Sequence, residues 1–226
     1  MPLIIGVAVR RNAHFAAQAL QSWQLGHRAK FDAGCRRSSY ANLILASGSP
    51  RRKRLLQKIV RTFTVCPANI NERLAHEESF AHACVRLAEA KARNVSRRNV
   101  CAVIVGADTI AYRGKKIYRK TDSARAARVI LRELSGKTHH VITGVAVVRP
   151  GGKCVKYYVH AKVLMKKLDG KLLNWYLKSG EWKGRAGSYD VSGKGKRLVA
   201  RVGGEKETVV GLPLKKLRSI LRANRQ

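Results

Sequence analysis

Residues 42–56 read NLILASGSPRRKRLL, an apolar run followed by a small-residue turn and a burst of positive charge. The run LILAS has the length and composition of a short buried strand, and residues 50–60 (PRRKRLLQKIV) have helical apolar spacing. Ser49 is placed to cap that helix, and Pro50 suits its first position. A helix start leaves free N–H groups and a partial positive charge, which together favour an anion. Arg51 and Arg52 stand in this first turn, where the dipole opposes a cation by about 0.3–1 kcal/mol. An anion held between the guanidinium groups and the free N–H groups would reverse that sign. The alternative is an exposed basic helix start.

A strand turning directly into a helix sets an α/β reading, and the rest of the chain continues it. Residues 61–70 (RTFTVCPANI) read as a second strand, and residues 78–95 have helical spacing. The strongly apolar segment 100–114 is a strand running into a turn, with a hairpin return at 115–120 (KKIYRK). Residues 122–134 form a helix with Asp122 or Ser123 as its cap, stopped by SGK. Two longer antiparallel strands follow, HHVITGVAVV and CVKYYVHAKVLMKKL, across a Pro-Gly-Gly turn. The segment LLNWYLKSG is a helix ended by Gly180, and a glycine-rich loop covers 184–195. RLVARVGG and TVVGLPL then lead into a closing helix, KKLRSILRAN. The expectation is one α/β domain with a mixed sheet over 42–226, preceded by a basic extension over 1–41.

That extension carries Arg10, Arg11, Arg28, Lys30, Arg36 and Arg37 against a single acid, Asp32. A transit peptide, a disordered arm and a start codon set too far upstream all fit this composition. The whole chain is strongly basic, with 47 Lys and Arg against 13 Asp and Glu, a formal charge of +34. Such an excess attracts polyanions, although the basic residues run along the whole length instead of forming one tract. Five scattered cysteines without a CxxC or Cys/His cluster suggest neither a zinc site nor a disulfide framework. This usage fits a reducing interior, and no stretch reaches the roughly 18–20 apolar residues that span a bilayer. A cytoplasmic protein without a membrane anchor is expected.

Acids are few enough for each to be weighed. Most fall on predicted helices or in polar turns. Asp108 differs, because it closes AVIVGAD, the most apolar run of the chain. In open α/β sheets ligands gather at the carboxyl ends of strands, so a carboxylate there is a candidate metal ligand or general base. A capping aspartate after a buried strand is the alternative. Glu72 follows a predicted strand and is a second candidate carboxylate, while Lys91 and Lys120 have no distinguishing local signal.

Taken together, these blocks resemble the Maf family of nucleoside triphosphate pyrophosphatases. The matching stretches keep the family's order: LILASGSPRRKRLL, NERL, RLAEAKARNV, VIVGADTIAYRGKKIYRK, LSGKTHHVITGVAVV, AGSYDVSG and VVGLPL. The resemblance implies an inosine-triphosphatase-like fold with a central cleft. It also implies hydrolysis between the α- and β-phosphates of dTTP, UTP or a related nucleotide, with Mg²⁺ or Mn²⁺ as cofactor. By the same resemblance Ser49, Arg51, Arg52, Lys91 and Lys120 bind the triphosphate. Asp108 is the proton acceptor, and Glu72 and Asp108 hold the metal. Arg51 and Thr109 match the positions that sort substrates toward dTTP and UTP.

Three departures stand out. Thr121 follows Lys120 where the family has proline, and Glu72 lacks its usual acidic neighbour. Ser192 stands where the family has a glutamine that helps choose the base, with Asp190 as a new charge beside it. A serine hydroxyl lacks the two-sided amide, so base recognition is expected to be weaker or altered. Expected partners are the nucleotide and a second copy in a homodimer. The competing reading is a degenerate domain of this family whose charge now serves nucleic-acid binding.

Overall fold

In the computed structural model residues 42–75 and 77–223 are described; the extension 1–41 lies outside them. The opening stretch forms β1 (Leu43–Leu45) and α1 (Pro50–Gln57), with Ser49 as the extended N-cap residue and Pro50 in the first turn. β1 is buried throughout, and α1 buries Arg52, Leu55 and Leu56. The chain continues through β2 (Thr64–Val65), α2 (Phe80–Ser96), β3 (Val103–Arg113) and β4 (Lys116–Ile117). It then forms α3 (Ala124–Leu134), β5 (Thr138–Val148), β6 (Cys154–Met165) and α4 (Gly170–Lys178). β7 (Val199–Gly203), α5 (Lys206–Val210) and α6 (Leu214–Arg222) complete the described residues.

These strands make one mixed sheet of seven, ordered β2-β1-β3-β5-β6-β7, with β4 paired to β3. β1 runs parallel to β2 and β3, while the β3–β5, β5–β6 and β6–β7 pairs are antiparallel. Several expectations shrink. The strand over 61–70 is two residues long, because its partner β1 has only three and Pro67 brings no N–H to extend the ladder. The hairpin return at 115–120 is likewise confined to Lys116–Ile117. Of the two cap candidates for α3, Ser123 takes the role, accepting from the Ala126 N–H.

Asp108 does not end its strand. β3 continues to Arg113, since Thr109–Tyr112 pair residue for residue with Thr143–His140 of β5. The strand that ends here is β1, whose pairing with β3 stops at Leu45 and Val105. β4 rejoins the same edge only at Tyr112. Between them, from Gly106 to Ile110, that edge of β3 has no strand partner among the described residues. The opening in the sheet sets the position of the cleft described below.

One face of the sheet receives α2 at close range. A Cβ at Gly106 would lie 2.2 Å from the Ala88 carbonyl oxygen, and one at Gly144 would lie 2.3 Å from the Cys84 carbonyl carbon. Both contacts are with backbone, so neither can be relieved by a rotamer change. The opposite face packs Leu131 and Leu134 of α3, Leu173 and Tyr176 of α4, and Leu217 of α6 into the largest hydrophobic cluster. Among the described residues, no helix is long and apolar enough to cross a membrane.

Gly144→Ala is therefore expected to cost at least the roughly 1–3 kcal/mol typical of overpacking, because α2 must rise from the sheet. Urea unfolding of the variant beside the parent reads the loss; equal midpoints would refute the close-contact account.

Candidate active site

A cleft of about 490 Å³ opens at the gap in β3. Ser49, Arg51 and Arg52 line one side, and Glu72, Lys91, Thr109 and Lys120 contribute further walls. The residues singled out from sequence thus converge, with two qualifications. Asp108 is reached through Lys91, and Ser192 is exposed and not among the lining residues.

At the floor, the Lys91 ammonium lies 2.5 Å from Asp108 Oδ1 and 2.8 Å from Glu72 Oε1. Lys91 comes from the middle of α2 and Asp108 from β3, and both are nearly inaccessible to solvent. Their meeting depends on the close approach of helix and sheet at Gly106 and Gly144. Glu72 is more open, its side chain 51% exposed, and comes from the loop before α2. Burial pushes its carboxyl upward, but the Lys91 hydrogen bond and charge, aided by Lys120 and Arg52, outweigh this and hold it below the ordinary range. The Lys120 ammonium is held below its ordinary value by burial first and by Arg52 second.

The loop bearing Glu72 is fastened by a separate ion pair. Glu78 receives Arg86 Nε at 2.7 Å and Nη2 at 2.6 Å, and accepts the Ala75 N–H. Arg86 also donates to the Arg73 carbonyl, next to Glu72 in sequence. The Arg86 hydrogen bond is the main reason the Glu78 carboxyl sits at about 2.

Arg51 and Arg52 have different surroundings. Arg52 is 8% exposed and donates to three internal acceptors: the Gly211 carbonyl, Ser47 Oγ and Thr109 Oγ1. Thr109 in turn touches Thr143, whose hydroxyl donates to the Thr208 carbonyl. A left-handed backbone at Gly211 (φ 117°) presents that carbonyl, and a Cβ there would crowd Arg52 and Thr109. Arg52 therefore ties α1, β3 and the end of α5 together while forming part of the wall. Arg51 makes no hydrogen bond through its side chain among the described residues. Burial brings its guanidinium down to about 10, against the opposing charge of Asp190.

Sequence reasoning missed a second group. Arg185 lines the cleft, and its guanidinium donates to Asp190 Oδ2 and to the Lys183 carbonyl. Asp190 is buried, and its Oδ1 accepts the Ser192 N–H at 2.9 Å. The family departure at Asp190 was the available signal, since an acid newly placed in a buried run needs a cation. Nearby, Tyr189 lines the cleft and bonds His139 at 2.8 Å. The backbone at Gly187 and Ser188 is left-handed at both residues, with φ 74° and 59°. Such strain in a non-glycine residue clusters at ligand sites.

Asp108 and Glu72 also have the chemistry to hold a divalent cation. Their oxygens touch the same ammonium, so two hard donors converge on one point. Among the described residues no group of three or more His, Cys, Asp or Glu could encage a metal. Two carboxylates suit Mg²⁺ or Mn²⁺ bound jointly with substrate phosphates, which is how Mg²⁺ is commonly held. The residues fit such an ion.

Residues 42–224 match the family described as Maf-like protein, and the chain belongs to that family. A dTTP/UTP pyrophosphatase of Pyrococcus abyssi is 40% identical over 173 residues, covering 76% of this chain and 91% of the relative. One from Aquifex aeolicus is 39% identical over 180 residues, covering 80% and 94%. Among solved structures, a HAM1 protein from Coxiella burnetii aligns with 80% of this chain and 98% of its own, at 12% identity and a TM-score of 0.46.

The Glu78–Arg86 pair yields a pH-dependent prediction. A carboxyl lowered to about 2 from 4.5 contributes stability fully above pH 4.5, and loses it as pH falls toward 2. Glu78→Gln is expected to be less stable than the parent at pH 7 and indistinguishable near pH 2. Urea midpoints across that range check it, and a constant difference would refute it.

Proposed function

We propose that the chain is a nucleoside triphosphate pyrophosphatase, cleaving the α–β phosphate bond of dTTP, UTP or a related nucleotide. The observation that carries this reading is the Lys91 ammonium bridging Asp108 and Glu72 at the floor of a cationic cleft. The activity for which the relatives are named supports the same substrates.

In this reading Arg51 and Lys120 meet the triphosphate, helped by the partial positive charge at the Ser49 end of α1. Arg52 adds charge but chiefly keeps the wall in place. Asp108 Oδ1 is engaged by Lys91, which leaves Oδ2 to take a proton from water. That water's oxygen bonds to the α-phosphorus as the bond to the pyrophosphate oxygen breaks. Asp108 and Glu72 would hold Mg²⁺ or Mn²⁺, which when bound supplies charge to offset the phosphate oxygens. Thr109 and Arg51 are proposed to sort substrates. The Arg185–Asp190 pair is proposed to modify that choice, with Ser192 acting through its backbone bond to Asp190.

Pyrophosphate release from a panel of triphosphates with Mg²⁺ or Mn²⁺ is the test. Asp108→Asn is expected to lower kcat by about 10²–10⁴, the range of a general base. Release from no member of the panel, or an unchanged kcat in the variant, would sink the assignment. Asp190→Asn should in turn change the ratio of kcat/KM between dTTP and CTP, because Arg185 loses its charged anchor. An unchanged ratio would remove the pair from base selection.

A further inference from the structure

The sheet face that receives α2 extends past that helix. Strand alternation puts Lys156, Tyr158, His160 and Lys162 of β6 on this face, and all four are exposed. Register brings His140 of β5 beside Lys162, Tyr112 of β3 beside His140, and Arg201 of β7 beside Leu164. Residues remote in sequence therefore form one surface.

Its centre is aromatic. The Tyr112 and His140 rings stack at 5.4 Å and 24°, and His140 and His160 lie 5.0 Å apart. The Tyr112 hydroxyl bonds His160 Nε2 at 2.8 Å, and Phe80 packs on Tyr112 at 4.5 Å. A cavity of about 570 Å³ opens here, lined by Phe80, Tyr112, Ile142, Tyr158 and His160 among others. Tyr158 is 55% exposed, unusual for a large ring on a sheet. Burial, with His140 and Lys162 nearby, keeps the His160 imidazole below its ordinary value, so the ring is neutral at neutral pH.

The rim is cationic. Lys162 and Arg201 are exposed and make no ion pair among the described residues. Glu78, which lines the cavity, is paired with Arg86, and Glu89 is paired with Arg93 and Lys156. A second copy of so basic a chain would be repelled, whereas a polyanion with flat faces satisfies both features.

We propose that this face binds single-stranded nucleic acid. Bases stack on the exposed His160 and Tyr158 rings, which Tyr112 and His140 back, and Lys162 and Arg201 take phosphates. Stacking on rings without base-edge donors gives binding with little sequence preference. The surface shares no lining residue with the nucleotide cleft and adds a second ligand class.

The test uses the full chain and a fluorescein-labelled oligouridylate lacking a 5′-phosphate, followed by anisotropy at several salt concentrations. Tyr158→Ala/His160→Ala is expected to weaken binding about tenfold or more while leaving dTTP hydrolysis unchanged. Tyr158→Phe/His160→Phe should restore affinity, which separates lost rings from lost folding. Lys162→Ala/Arg201→Ala should reduce the salt slope by about 1.4, at about 0.7 per phosphate contact. Equal affinity of the alanine double variant and the parent would overturn the proposal, leaving diffuse charge as the cause. So would loss of binding in Asp108→Asn, which would put the oligonucleotide in the cleft. A dimer in sedimentation that the alanine variant abolishes would overturn it in favour of a second copy.

Discussion

A lysine held between two carboxylates, one of them buried, is the constraint around which this fold is arranged. Removing one member of a buried, hydrogen-bonded charge pair typically costs about 3–5 kcal/mol, because the remaining charge is stranded. Lys91 can reach Asp108 only if α2 lies almost on the strands, which is why Gly106 and Gly144 face it without side chains. The helix fixes the ammonium, and the ammonium fixes one carboxylate oxygen of Asp108. Glu72 completes the group from a loop fastened by its own ion pair. Position and charge pairing at the floor are therefore consequences of helix-on-sheet packing.

The two adjacent arginines illustrate a different economy. Consecutive helix residues point about 100° apart, so neighbours in sequence need not share surroundings. Arg52 turns inward to Gly211, Ser47 and Thr109, and those oxygens offset the dipole's opposition to a cation at a helix start. Arg51 turns to the cleft, where the charge of Asp190 is the main offset to burial. The electrostatic conflict visible in the sequence is thus met internally at one position and left for an anion at the other.

Much of this is legible in the amino-acid sequence by itself. The strand–turn–helix at 42–57 follows from composition and capping alone, and the apolar run before Asp108 marks a central strand. The resemblance then strengthens Glu72 and gathers Lys91 and Lys120, which have no local signal of their own. What stays hidden is non-local. Asp108 reads as a strand end, yet the strand that ends is β1, and only pairing register reveals it. The Arg185–Asp190 bond spans a left-handed turn at Gly187 and Ser188 that the sequence shows only as a glycine-rich loop. The aromatic face is invisible for the same reason, since Tyr112, His140 and His160 sit on three strands.

The interrupted edge of β3 has a dynamic corollary. The Val105 carbonyl accepts from Ala46 N–H and the Ala111 carbonyl from Tyr118 N–H, each at 2.8 Å. By alternation, the main-chain groups of Ala107 and Thr109 turn to the same edge, where no strand meets them among the described residues. Of these two, Thr109 lines the cleft while Ala107 is fully buried. The Thr109 amide thus becomes a reporter of occupancy, its hydrogen exchanging more slowly when a ligand fills the cleft beside it.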